Sequence, residues 1–346
     1  MSTGALPLFI VMSFFSGLLE IGVVLWGVAE SNDDFSLPFA LAFAYQVGAL
    51  VIAIKVGDYA WKAVAGTSVL AASTLYGNVM GAFDGTLATC VTVVLCSAAI
   101  NLTRMRLGKA HISTTIKRCA RVSGFLAAPM MMITGAPALV IMIASATCLA
   151  ISLRSRPTNA LAPPAVPGAT DPILGTALVT HQMHYFSYCT VIMVMLLQSY
   201  SPLLGVIFFI AGWASYIATP HLLRPQWSPG SAAFVGHVFL PLVLIALWYA
   251  PAGHSLWIVL WVATGFLGGT VVDLTRLAQT RGMNEGQLVP LEGLGHCLGA
   301  GMALLMIASG HGTAVLFIAA AFFAAVTAVF VGAALPFHSR SREGQL

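Results

Sequence analysis

Charge is what this chain lacks. Only 8% of its 346 residues are Asp, Glu, Lys or Arg, against 59% hydrophobic ones, whereas a soluble domain carries about a quarter charged residues. With a mean hydropathy of +0.92, that scarcity excludes an ordinary soluble core inside a polar shell and points to a surface solvated by lipid. The six cysteines (Cys90, Cys96, Cys119, Cys148, Cys189, Cys297) form no CxxC pair. A disulfide framework and a thiolate zinc site are thereby disfavoured, and the cysteines read as small buried hydrophobes. A phosphate-cradling glycine loop and a soluble nucleotide domain are both missing, which argues against ATP-driven work by this chain alone. Neither the aromatic spacing nor the basic loops resemble a nucleic-acid surface. No nucleic-acid partner and no cofactor are expected.

The few basic residues are placed with strong bias. They fall in clusters: Lys55 and Lys62; Arg104 to Arg121; Arg154 and Arg156; Arg224; Arg276 and Arg281; Arg340 and Arg342. Each interval between clusters is apolar and long enough to cross a bilayer twice. The turns midway carry Glu30, Asp33, Asp34 and Asp84 but no Lys or Arg. Basic residues resist translocation, so the clusters mark the cytoplasmic side. Six out-and-back hairpins give an all-α polytopic membrane protein of twelve transmembrane helices, with both termini cytoplasmic and the plasma (bacterial inner) membrane as its expected home. The run from Leu6 to about Val28 suits a retained first span better than a signal peptide.

The expected spans are 6–28, 36–56, 62–81, 85–103, 120–134, 137–153, 173–198, 202–222, 231–250, 255–275, 287–308 and 312–336. The fifth and sixth share a short stretch broken by Gly135, Ala136 and Pro137. Two short crossings or a re-entrant hairpin both keep the parity of the chain. The segment after Arg154, with Pro157, Pro163, Pro164 and Pro167, reads as a linker. The division is therefore an N-terminal six-helix bundle (1–153), a Pro-rich linker (154–172), a C-terminal six-helix bundle (173–337) and a tail (338–346). The halves show weak internal similarity. Asn101-Leu-Thr-Arg104 and Asp273-Leu-Thr-Arg276 close the fourth and tenth spans (276 − 104 = 172). Met12-Ser-Phe-Phe15-Ser16 and Met183-His-Tyr-Phe186-Ser187 lie in the first and seventh (183 − 12 = 171). Nearly equal offsets suggest duplication, and parallel repeats characterise one transporter class.

Twelve spans, cytoplasmic termini, a six-plus-six split and a cytoplasmic linker together resemble the major facilitator superfamily. Between the second and third spans, Lys55-Val-Gly57-Asp58-Tyr-Ala-Trp61-Lys62 keeps an Asp beside basic residues, as the family's signature does, but departs from its Gly and Arg spacing. The resemblance implies two bundles rocking about a central cavity. The first, fourth, seventh and tenth spans would line it with help from the second, fifth, eighth and eleventh, and substrate would bind near the midplane.

Several side chains stand out as candidates. On the seventh span, His181, His184 and Tyr188 fall at i, i+3 and i+7 and share one face near mid-bilayer. Polar groups at that depth face a cavity or another helix, so the stripe reads as a substrate-, proton- or metal-binding face, against the alternative of interhelical hydrogen bonding. Tyr45 and Gln46 in the second span, and Trp213 and Tyr216 in the eighth, are further cavity candidates. Glu292 and His296 are i, i+4 neighbours on the eleventh span, a plausible protonation switch unless Glu292 is solvated. Glu20 is the only ionisable group inside the first span. With no basic residue expected in neighbouring spans, protonation would be the way to bury it, which makes it a proton-coupling candidate. Asp58 reads as part of a gate or charge network, Asp273 as a partner of Arg276, His237 as structural, His254 and His311 as solvated, and Met130, Met131 and Met132 as packing.

These features converge on a secondary transporter of a small molecule, driven by protons. His181, His184, Tyr188, Tyr45 and Gln46 are the expected substrate contacts, and Glu20, Glu292 and His296 the expected proton carriers. With no Lys or Arg expected within the membrane, a strongly anionic cargo is disfavoured. A neutral, cationic or metal-chelating (siderophore-like) compound fits better, and import and export read alike. The rival is a membrane-embedded metalloenzyme liganded by His181, His184 and His296.

Overall fold

The computed structural model describes residues 5–31, 35–53, 56–79, 85–107, 114–133, 137–155, 171–223, 228–251 and 254–335. Most of the expected linker, the tail 338–346 and the turn residues Asp33, Asp34 and Asp84 lie outside them. Within them the chain is all helix: α1 (Ala5–Glu30), α2 (Leu37–Ala49), α3 (Asp58–Val79), α4 (Thr86–Leu107), α5 (Thr114–Ile133), α6 (Pro137–Arg154), α7 (Pro172–Ser199), α8 (Pro202–Leu222), α9 (Ser231–Tyr249), α10 (Ser255–Gly268), α11 (Val271–Thr280), α12 (Glu285–Ala308) and α13 (Gly312–Ala334). These helices make the twelve expected spans. The second ends in a 3-10 turn at Leu50–Ala53, and the tenth is α10 and α11 with a break between them. Glycine is required at that break. A Cβ on Gly269 would stand 2.4 Å from the carbonyl oxygen of Tyr216.

Eight spans are long and apolar enough to cross a membrane by length and composition: α1, α4, α6, α8, α9, α10 with α11, α12 and α13. The helix α2 is apolar but short. Of the other three, α3 and α5 carry charged residues near their starts, whereas α7 carries polar ones, His181, Gln182 and His184 among them, and is packed against α8, α12 and α13. Buried polar residues there replace lipid-facing apolar ones. The outward side chains are large and apolar, among them Leu242, Val259, Leu305, Phe322 and Val329. On a soluble protein such a surface would aggregate; here it is the lipid face of a multi-pass integral membrane protein.

The packing has the two-fold logic of a duplication. The strongest pairings of the first half are α1 with α5, α2 with α4, and α3 with α6. Each recurs six spans later as α7 with α12, α8 with α10, and α9 with α13. The halves meet chiefly through α2 with α12 and α5 with α8. Exchanging the halves turns the second span into the eighth and the eleventh into the fifth, so one of these contacts maps onto the other. Glycines bring the tightest pairs together. A Cβ on Gly124 would lie 2.2 Å from the Phe14 carbonyl oxygen, and one on Gly299 would lie 2.3 Å from that of Met183.

At the span ends, polar groups tie helices together. Asp58 pairs with Arg106, whose guanidinium also donates to the Val56 carbonyl (2.5 Å) and lies 5.3 Å from the Trp61 ring centre. The expectation of a charge network at Asp58 is met. Asp171 caps α7 by accepting from the amides of Ile173 and Leu174, each at 3.1 Å. Asp273 has Arg276 as an electrostatic neighbour, as expected, but its hydrogen bond goes to α9: it accepts from the Ala232 amide at 3.0 Å, holding the start of that helix, where Gly230 adopts φ 91°.

Replacing Gly124 by Val should destabilise the protein by about 1–3 kcal/mol, the usual range for overpacking. Gly66→Ala, where a Cβ meets nothing within 4 Å, should leave it unchanged or raise it by up to about 1 kcal/mol. Thermal unfolding of both variants in detergent checks the contrast.

Candidate functional site

Between the two halves lies a cavity of about 30 Å³ lined by Glu20 (α1), Tyr45 and Gln46 (α2), Phe125 (α5), Phe186 and Cys189 (α7) and Trp213 (α8), among others. That volume holds roughly two waters, so the bundles are nearly closed around it. Three expected residues, Glu20, Tyr45 and Gln46, do reach this centre, as does Trp213.

The expectation that Glu20 lacks a basic neighbour is overturned. Arg121 forms an ion pair with it, its Nε donating to Glu20 Oε2 at 2.9 Å and a terminal nitrogen donating to the same oxygen. Sequence reasoning put Arg121 at the cytoplasmic end of the fifth span, the last of a solvated basic cluster. The structure starts α5 at Thr114, almost two turns earlier than expected, and carries the side chain inside. Arg121 lies level with Gly17, since a Cβ on Gly17 would meet the Arg121 carbonyl oxygen at 2.1 Å. Gly17 is twelve residues past the start of α1 (17 − 5 = 12), about 18 Å along the helix. The guanidinium also lies over aromatic rings, 5.8 Å from Phe125 and 5.7 Å from Trp213. Phe125 and Trp213 meet edge to face at 5.0 Å. Arg121 therefore bridges the halves, with its carboxylate partner on α1 and one aromatic partner on α8. The argument against anionic cargo from the absence of basic residues in the membrane falls with it.

Tyr45 is held by a second network. Its hydroxyl donates to the Ser16 carbonyl (2.9 Å) and lies 2.8 Å from the Ser16 hydroxyl, to which Arg104 donates at 3.0 Å. Arg104 also donates to Asn101 Oδ1 at 3.0 Å. The helices α1, α2 and α4 are thus locked around the cavity wall.

The histidine stripe of α7 is real, but it does not face the cavity. His181, His184 and Tyr188 are fully buried and turn into the C-terminal half, while Phe186, Cys189, Thr190 and Met193 on another face of α7 line the cavity. His181 Nδ1 lies 2.7 Å from His237 Nε2 on α9, and its Nε2 lies 3.4 Å from the Tyr216 hydroxyl on α8. His237 Nδ1 donates to the Ala233 carbonyl at 2.6 Å. Tyr188 packs against Trp261 on α10 at 6.3 Å between ring centres. His237, expected to be structural, is the third member of a cluster with His181 and His184. The signal that would have found it was available, because an ionisable group in an apolar span is a functional candidate by default.

The expected Glu292–His296 switch is rearranged as well. His296 Nε2 lies 3.0 Å from Gln182 Oε1 on α7, and its ring sits 3.8 Å from that of Phe186. Gly295 lets α12 approach α7 closely here, which directs the imidazole across the helix pair rather than along α12 toward Glu292.

No family model matches the chain, and no curated protein does either. Solved structures do. The POT family transporter PepTSo superposes with a TM-score of 0.66 at 10% identity, covering 95% of this chain and 97% of its own. A D-xylose-proton symporter gives 0.62 at 13% identity, with 96% and 98% covered. The nucleoside transporter NupG gives 0.61 at 11%, with 96% and 99% covered. The chain has the fold of these transporters along nearly its whole length, which is the major facilitator fold that its architecture resembled.

Removing one partner of the Glu20–Arg121 pair leaves the other charge partly buried without its counter-ion. Glu20→Gln or Arg121→Gln alone should lower stability by about 1–3 kcal/mol, and the double variant by less than the sum of the two. Unfolding of the four proteins as a double-mutant cycle measures this coupling.

Proposed function

We propose that this protein is a secondary active transporter of the major facilitator type, moving a small polar molecule by alternating access with proton coupling. The observation that carries the reading is the Glu20–Arg121 ion pair, whose carboxylate lines a small cavity between two pseudo-symmetric bundles and whose guanidinium reaches the second of them. A partly buried ion pair is balanced between its desolvation and its mutual attraction. A proton on Glu20 removes the carboxylate's hold on Arg121. The guanidinium is then free to take an acceptor group of the cargo, and its seat against Trp213 of the other half is loosened. Return of the empty carrier restores it. Proton and cargo travel together in this scheme.

The cavity chemistry bounds the cargo. The Glu20 carboxylate with the Arg121 guanidinium paired to it, the Gln46 amide and aromatic walls from Phe125 and Trp213 suit a compact molecule with hydrogen-bond acceptors and a flat apolar face. The solved structures that share the fold are named as a POT family transporter, a D-xylose-proton symporter and a nucleoside transporter, and that range on one fold leaves specificity to the cavity lining. The one-sided basic clusters support cytoplasmic termini in a bacterial inner membrane. The metalloenzyme reading is weaker because His296, its third expected ligand, turns to Gln182.

In proteoliposomes with an imposed pH gradient, a panel of small polar metabolites should include one that the protein accumulates. Glu20→Gln should abolish gradient-driven accumulation yet keep exchange of internal for external cargo. Flux that ignores the gradient, or an unimpaired Glu20→Gln, would overturn the coupling scheme.

A further inference from the structure

Three imidazoles from two helices meet inside the C-terminal bundle. His181 and His184 on α7 and His237 on α9 are each fully buried, and one ligand nitrogen from each lies within 4.8 Å of the others. Their hydrogen bonds fix the available lone pairs. The carbonyl of Ala233 accepts only, so His237 carries its proton on Nδ1 and presents the Nε2 lone pair to the cluster. This is the arrangement in which an outer hydrogen bond sets the tautomer of a metal-binding imidazole. His181 must then donate from Nδ1 to His237 Nε2.

His184 is the unexplained member. Neither of its ring nitrogens has a hydrogen-bond partner, although the residue is 0% exposed. A neutral imidazole always has one N–H and one lone pair, and burying a polar group without a partner costs about 1–3 kcal/mol. Its ring centre lies 5.1 Å from that of His181 and 5.6 Å from that of His237. The missing partner therefore belongs among the three rings. The neighbouring Tyr185 hydroxyl is also buried without a partner.

We propose that His181, His184 and His237 form a binding site for a transition-metal ion, separate from the central cavity and independent of the transport scheme above. Three nitrogens at about 2.0–2.1 Å from one ion stand about 3.3–3.6 Å apart. The rings need to shift by about an ångström, with His181 exchanging its bond to His237 for one to the ion. The donor set is neutral imidazole, which selects copper and zinc over magnesium or calcium. Monovalent copper adds one buried charge and zinc two. Bound ion would tie α7 to α9 and stiffen the half of the protein that moves against the cavity.

The test is metal binding to the detergent-purified full chain, with Cu(I) under anaerobic conditions and Zn(II) as separate probes. One equivalent of either ion per chain is expected, bound through nitrogen ligands at about 2.0 Å by X-ray absorption. Saturation at about a hundred times Kd should stabilise the chain against unfolding, the equivalent of about 2.7 kcal/mol. His184→Ala should lose the stoichiometric ion. His184→Gln, which better preserves volume, covers the case in which the alanine variant fails to fold. His311→Gln, at an exposed turn, should bind as the parent does. Failure to bind either ion, or equal binding by folded His184→Gln and the parent, would overturn the site. Neither result bears on proton-driven flux, so the two proposals fail separately.

Discussion

The bilayer core offers no water, so every buried polar group in this chain must find its partner within the helices. Much of the architecture answers that constraint. Asp58 is held with Arg106, Asp171 and Asp273 cap helix starts, and Arg104 is spent on Ser16 and Asn101. The one carboxylate deep in the first span is held by Arg121. That pair lies at the junction of the two halves, where its aromatic neighbours come from both. A structure that rocks about a central point must break and remake contacts there, and a charge pair is the kind of contact that a proton or a polar ligand can open. Apolar packing alone offers no such handle.

The duplicated framework determines where that handle sits. In each half, glycines bring two helix pairs into close contact, α1 with α5 and α2 with α4 in the first, α7 with α12 and α8 with α10 in the second, and the pairs α1 with α5 and α7 with α12 are equivalent. The N-terminal pair carries Glu20 and Arg121. The C-terminal pair carries Gln182 and His296, which face each other in a neutral hydrogen bond. Equivalent helices thus bear different chemistry. A gene-duplication fold keeps its geometry and reassigns the groups at its centre. Tyr45 and Tyr216 stand on equivalent helices at the same offset as one of the internal matches (216 − 45 = 171). The first lines the cavity, whereas the second points its hydroxyl to the histidine cluster.

Much of this was legible in the sequence, because membrane topology is written in bulk properties. The clusters from Lys55 to Arg342 and the apolar intervals between them place all twelve spans to within a few residues at most ends. Arg121 was misjudged by the same reasoning. Together with Lys117 and Arg118 its charge lowers local hydropathy, which moves the apparent start of the fifth span up to its doorstep and makes it read as a solvated end residue. Its partner, Glu20, is 101 residues away, and no local spacing reports a contact at that distance. The i, i+3, i+7 pattern identified the shared face of His181, His184 and Tyr188. It gave no direction for that face, because α7 is surrounded by helices and carries polar groups on more than one side. His237 joins the cluster from 56 residues away, through packing that only the folded bundle defines.

The central claim is that the cavity between the halves opens to each side of the membrane in turn, and Cys189 in its wall tests it most directly. With the other five cysteines replaced by alanine or serine, a membrane-impermeant thiol reagent is applied from either face of oriented vesicles. Alternating access predicts labelling of Cys189 from both faces, suppressed from both when the carrier is held closed by cargo. Labelling from one face only under every condition, or from neither, would contradict the account.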